Sequence, residues 1–136
     1  MQTALKLIVE PIFEADFEDC SYGFRPNRSS QQAALEVRKL LSFGYKEVIE
    51  TDIEDCFDSI PHRELLDMVA KRVVDGNILW LIKLFLKAGV MEDNNRWTDD
   101  KGTPQGGVIS PLLANIYLNN IDKGWKPLNN SARLIR

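Results

Sequence analysis

The chain has one histidine, His62, and two cysteines, Cys20 and Cys56, among 136 residues. The two cysteines are widely spaced and show no metal-ligand pattern, which favours a reduced intracellular thiol pair over a disulfide framework. Long apolar runs are also missing. Met1 to Val9 has neither a basic leader nor the hydrophobic core of a signal peptide, so the expected location is cytoplasmic with no membrane partner. Positive charge is scarce, with 17 Lys and Arg against 20 Asp and Glu and a net charge of −3. Proteins that grip nucleic acid along its backbone gain affinity by releasing counterions to a basic surface. This segment is therefore not expected to be the main clamp on a polyanion. There is no internal repeat and no low-complexity linker. The 44% apolar and 27% charged content is that of a globular chain, long enough for one domain or part of one.

Against this background, acidic residues are concentrated in one place: Glu50-Thr51-Asp52-Ile53-Glu54-Asp55-Cys56-Phe57-Asp58-Ser59. Val48, Glu50 and Asp52 alternate with Ile49, Thr51 and Ile53, which predicts a strand over 46–53 that delivers Asp52 at its C-terminal end. Glu54, Asp55 and Asp58 follow closely. Such a negative field favours a neutralising divalent cation, and hard carboxylate oxygens suit Mg²⁺. The competing reading is an acidic turn solvated at a strand end.

The remaining pattern is mostly helical. Leu5, Ile8, Val9, Ile12 and Phe13 predict an amphipathic helix over 2–14, interrupted near Pro11 or carrying it in a kink. Residues 15–28 form a Gly- and Pro-punctuated loop with Phe17, Tyr22 and Phe24. Ser29 and Gln32 have capping-box spacing for a helix to about Phe43, ended by Gly44. Arg25 and Arg28 at that helix entry make either a phosphate seat or, for Arg25, an ion pair with Glu18 or Asp19. Pro61 opens a helix with the stripe Leu65, Leu66, Val69 and Val73. His62 at its start reads as a surface or capping residue rather than a general base. Residues 77–88 are apolar nearly all round, which places Trp80 and Phe85 in the core. A hairpin over 90–98 turned by Asp93-Asn94-Asn95 follows. Ser110 and Pro111 then start a helix with Leu112, Leu113, Ile116 and Tyr117 inward, closed near Gly124.

Three stretches together resemble a known family: Ser21-Tyr22-Gly23-Phe24-Arg25-Pro26, the acidic stretch around Asp52, and Gly102-Thr103-Pro104-Gln105-Gly106-Gly107-Val108-Ile109-Ser110-Pro111. In order and spacing they are similar to the reverse transcriptase domain of group II intron-encoded proteins. The resemblance implies an α/β (α+β) partial polymerase right-hand fold, with a small antiparallel sheet backed by helices. Residues 1–45 would be the fingers-side helices and loop, and 46–136 the palm portion, truncated before a Tyr-Ala-Asp-Asp hairpin. It implies RNA-directed DNA polymerase activity using two Mg²⁺ ions. RNA template, DNA primer and deoxynucleoside triphosphates are the implied partners, with intron RNA a further one. Asp52 would be the first catalytic aspartate and a metal ligand, with the Ile53 carbonyl beside it. Phe57 would be the bulky side chain that excludes a 2′-hydroxyl, against the alternative of a core aromatic. Pro104, Gln105 and Gly106 would touch template and incoming nucleotide, and Arg25 is tipped toward nucleic acid. Cys56 departs from the aromatic that the family commonly has before the gate.

Two further readings stand beside this one. A non-catalytic RNA-binding or maturase-like piece, or a remnant, would share the motifs. A metal-dependent phosphohydrolase is disfavoured because no second carboxylate or histidine cluster accompanies Asp52. Retron, diversity-generating and CRISPR-linked relatives also carry these motifs. The chain by itself is expected to be inactive, and exposed sheet edges are expected to promote self-association.

Overall fold

The computed structural model describes residues 1–87, 90–92, 95–97, 100–103, 106–128 and 131–136. The longest helix, α6 (Ser110–Leu128), is the element on which the others converge: α1 (Gln2–Glu14), α3 (Cys56–Ser59) and α4 (His62–Ala70) pack against it. Leu112, Leu113 and Ile116 recur at helical spacing and are buried, together with Ile109 just before the helix. The expected stop near Gly124 does not occur. Glycine in a helix costs up to about 1 kcal/mol relative to alanine, but it ends one only by turning left-handed, and Gly124 does not.

Helix α1 buries Leu5, Val9 and Phe13 against this centre, each contributing roughly 1.5–3 kcal/mol. Pro11 remains inside the helix because it lies on the exposed side, where the carbonyl it frees can bond water. In α2 (Ser30–Ser42) both halves of the capping box form: Gln32 N donates to Ser29 Oγ at 3.3 Å, and Ser29 N donates to Gln32 Oε1 at 2.9 Å. Gly44, at φ +102°, follows its end. No residue of α2 is buried.

Helix α4 buries Leu65 and Val69 completely, and Val73 lies just beyond its end. Helix α5 (Gly76–Lys87) packs on α4 through Ile82 and Leu86. Phe85 is half-buried against the core, but Trp80 is 58% exposed, contrary to expectation. An all-round apolar sequence becomes core only where neighbours cover every side, and α5 is covered along one stripe. Strands β1 (Val90–Glu92) and β2 (Asn95–Trp97) pair antiparallel, with Val90 opposite Trp97 and Glu92 opposite Asn95. Positions 93 and 94 of the expected turn lie outside the described residues.

The expected α+β palm is overturned. Residues 46–53 are irregular, and Val48 and Ile49 are 65% and 87% exposed. Alternation makes a strand only when a neighbouring segment supplies ladder bonds and covers one face. No described segment does so here. The hairpin β1–β2 is the only sheet among the described residues, and the architecture is helical. The sheet edges expected to drive self-association are thus not formed at 46–53. No described helix is long and apolar enough to cross a membrane.

Candidate functional site

The acidic stretch leads into α3, whose entry is strained. Asp55 adopts φ +48°, and its carbonyl accepts from Asp58 N at 3.0 Å and Ser59 N at 2.8 Å. Phe57 is half-buried on this single turn. The turn is fixed from outside by residues 102 and 103: Gly102 N donates to Ile60 O at 2.7 Å and Thr103 N to Phe57 O at 2.8 Å. Gly102 has φ +85°, and a Cβ there would stand 3.0 Å from the Asp58 carbonyl oxygen, so only glycine lets the two backbones approach. His62, expected as a surface or capping residue, is 5% exposed and donates Nε2–H to the Gly102 carbonyl at 2.6 Å. It is a buried clamp between the second and third motifs.

The loop over 15–29 is held as firmly. Arg25, 9% exposed, donates Nε and Nη2 to Glu14 Oε1 at 2.9 and 2.6 Å. Its Nη1 reaches the carbonyls of Glu18 and Ser21, and its guanidinium lies over the Phe17 ring. The acidic partner is thus Glu14 rather than Glu18 or Asp19, and Asp19 pairs with Arg28 instead. On the other side, Arg136 donates to both oxygens of Asp122, which is 1% exposed, at 3.0 and 2.6 Å. It also reaches Asn115 Oδ1 at 2.9 Å and Ser21 Oγ at 3.0 Å. The Arg136 main chain pairs with Cys20 O and Tyr22 N. Asn115 Nδ2 donates to Gly23 O at 2.8 Å.

Between these anchors Phe24 projects at φ +55° and 70% exposure. Its ring meets Phe57 edge-on, with centroids 6.2 Å apart and planes at 85°. An open groove of about 560 Å³ lies beside the pair, lined by Phe24, Asp55, Cys56, Phe57, Asp58, Gly106, Gly107, Ser110 and Pro111. All three motifs contribute to it. Gly106 enters at φ +78°, a conformation that exposes its backbone.

Asp52 is not among the residues lining the groove. It is exposed, and its Oδ1 accepts from Ile53 N at 2.9 Å. It lies near enough to Cys56 to act on its thiol: burial pushes the Cys56 pKa up, Arg136 pulls it down, and Asp52 adds to the rise. No three His, Cys, Asp or Glu side chains converge among the described residues. Asp52 and the Ile53 carbonyl by themselves are too few oxygens for Mg²⁺, which takes six. Pro104 and Gln105 lie outside the described residues.

The residues that pin the groove, Asn115, Asp122, Arg136 and His62, were not singled out as site residues from sequence. Asn115, Asn119 and Asp122 fall at i, i+4 and i+7, a buried polar stripe within α6. That spacing was the available signal.

Helices converging on α6, with a Phe24–Phe57 pair beside the glycines of the third motif, accompany a family-wide match: the pattern of "Reverse transcriptase (RNA-dependent DNA polymerase)" fits residues 1–133. The chain belongs to this family, whose members generally use divalent metal ions and bind RNA templates. It is 43% identical over 123 residues to the group II intron-encoded protein LtrA of Lactococcus lactis subsp. cremoris, covering 90% of this chain and 20% of that protein. It is 41% identical over 127 residues to protein YkfC of Escherichia coli K12, covering 90% of this chain and 33% of the relative. A chain of the partial Cas6-RT-Cas1--Cas2 complex superposes with a TM-score of 0.57 at 30% identity, over 93% of this chain and 22% of that one. The chain thus spans from about a fifth to a third of the length of the two curated relatives.

Proposed function

We propose that this chain is the nucleotide-facing part of an RNA-directed DNA polymerase of group II intron type, with residues 1–45 on the fingers side and 46–136 on the palm side. The observation that carries the reading is the groove to which all three motifs contribute: Phe24 from the first, Asp55 to Asp58 from the second, and Gly106 to Pro111 from the third. In it Phe57 walls the sugar of an incoming deoxynucleotide. Gly106, with Pro104 and Gln105 next to it in sequence, meets the nucleotide and template. Asp52 and the Ile53 carbonyl belong to the two-Mg²⁺ centre of a complete polymerase, to which further carboxylates must come. Arg25, with its donors on Glu14, Glu18 and Ser21, acts by holding Phe24 in place. The substrates are an RNA template, a DNA primer and deoxynucleoside triphosphates, and intron RNA is the natural further partner of a maturase-like protein.

A second reading, a non-catalytic RNA-binding piece, is favoured by one observation: Asp52 is exposed, with a carboxylate oxygen engaged by its own Ile53 N–H. Primer extension on an RNA template with Mg²⁺ separates the two. With the chain fused to the flanking segments of the lactococcal relative, the first reading predicts DNA synthesis that vanishes on Asp52→Ala. RNA binding without extension in that fusion supports the second.

A further inference from the structure

We infer that Phe24 is a specificity-determining residue: it fixes the ring of Phe57 and so sets how strictly the groove excludes a 2′-hydroxyl. The inference rests on the nucleotide reading of that groove. An aromatic residue at φ +55° is unusual, because the left-handed region crowds Cβ against the backbone. Core packing does not explain it, since Phe24 is 70% exposed. What holds it there is a set of bonds on both sides. Asn115 takes the Gly23 carbonyl, Arg136 takes Ser21 and the main chain of Cys20 and Tyr22, and Arg25 is locked onto Glu14. Strain at an exposed residue, over-determined by buried polar contacts, marks a position kept for what its side chain does.

What the side chain does is visible in its contact with the Phe57 ring. Its edge meets Phe57 at 85°, the T-shaped arrangement that aromatic pairs favour. Phe57 sits on α3, a single helical turn whose entry residue Asp55 is itself left-handed at φ +48°. A ring on so short an element is poorly restrained by its own backbone. Thr103 N–H fixes the Phe57 carbonyl, which sets the backbone and not the ring. One side of the ring packs against the core, and Phe24 adds an edge contact on the groove side, so Phe24 acts through Phe57 as a positioning residue.

The test uses the 136-residue chain with dATP and ATP as probes, followed by amide NMR shifts of Gly106, Gly107 and Ser110. The unmodified chain is expected to bind dATP about tenfold more tightly than ATP, the size of a single steric exclusion in a pocket. Phe57→Ala should abolish the preference. Phe24→Ala should reduce the dATP-over-ATP ratio severalfold, whatever it does to nucleotide affinity as a whole, and should add nothing to that ratio in the Phe57→Ala background. Phe24→Tyr, which keeps the aromatic edge, should retain it. Phe24→Leu, apolar but without that edge, serves as the second variant if alanine disturbs folding, and should also lose the preference. If folded Phe24→Ala or Phe24→Leu keeps the full preference while Phe57→Ala loses it, this inference is overturned and the nucleotide reading stands. If neither nucleotide moves these signals, or Phe57→Ala leaves the preference intact, the nucleotide reading fails and this inference with it.

Discussion

Thr103 N–H donates to the carbonyl of Phe57 at 2.8 Å, and beside it Gly102 N–H donates to Ile60 at 2.7 Å, so main-chain hydrogen bonds join the third motif to the second, with His62 Nε2–H on the Gly102 carbonyl. Side-chain identity enters at the point of closest approach. Gly102→Ala places a methyl 3.0 Å from the Asp58 carbonyl oxygen in a left-handed backbone at φ +85°. It should destabilise the chain by about 2 kcal/mol or more. Gly124→Ala, in open space within α6, should instead stabilise by about 0.5–1 kcal/mol. Urea denaturation of the two variants checks the pair, and similar midpoints would contradict the docking geometry.

The Asp122–Arg136 pair makes a second prediction. Asp122 is 1% exposed and receives two bonds from the guanidinium, which also serves Asn115 and Ser21. Asp122→Ala leaves a partly buried cation without its counter-charge and should cost roughly 3 kcal/mol. Thermal unfolding reads this directly. The same variant should broaden the amide signals of Ser21 to Phe24, because the loop loses its anchor on α6.

Cys56 reports where Asp52 lies. Burial raises its thiol pKa, Arg136 opposes the rise, and Asp52 adds to it. A thiol whose folded pKa exceeds its unfolded value binds more protons when folded. Its contribution to stability is therefore present below the ordinary thiol pKa and is lost as pH rises through the folded one. Cys56 should alkylate more slowly with iodoacetamide near pH 8 than an unstructured cysteine does. Asp52→Asn should speed it. An unchanged rate in Asp52→Asn would place that carboxylate away from α3.

How much of this was legible in the sequence follows from the range of the forces involved. The helices were, because their determinants are local: Ser29 and Gln32 cap α2 within one turn, and Leu112, Leu113 and Ile116 recur at helical spacing. The strand expected at 46–53 was not, because alternation is a local signal whereas ladder bonds come from elsewhere in the chain. His62 was misjudged for the same reason, since its partner is the carbonyl of Gly102, distant in sequence. Trp80 looked like core because its own helix is apolar, yet exposure depends on which neighbours arrive. At the site, Phe57 and Gly106 were legible as motif residues, whereas the role of Phe24 needed its torsion angle and its contact.

The central claim is that the three motifs form one nucleotide seat beside Phe24 and Phe57. Photo-crosslinking with 8-azido-dATP, mapped by mass spectrometry of the digested chain, tests it most directly. The account predicts labelled peptides that contain residues 21–28, 54–59 and 106–111, with labelling competed by unmodified dATP. A competed label confined to the α4–α5 face around Arg63, Lys83 and Lys101 would contradict it.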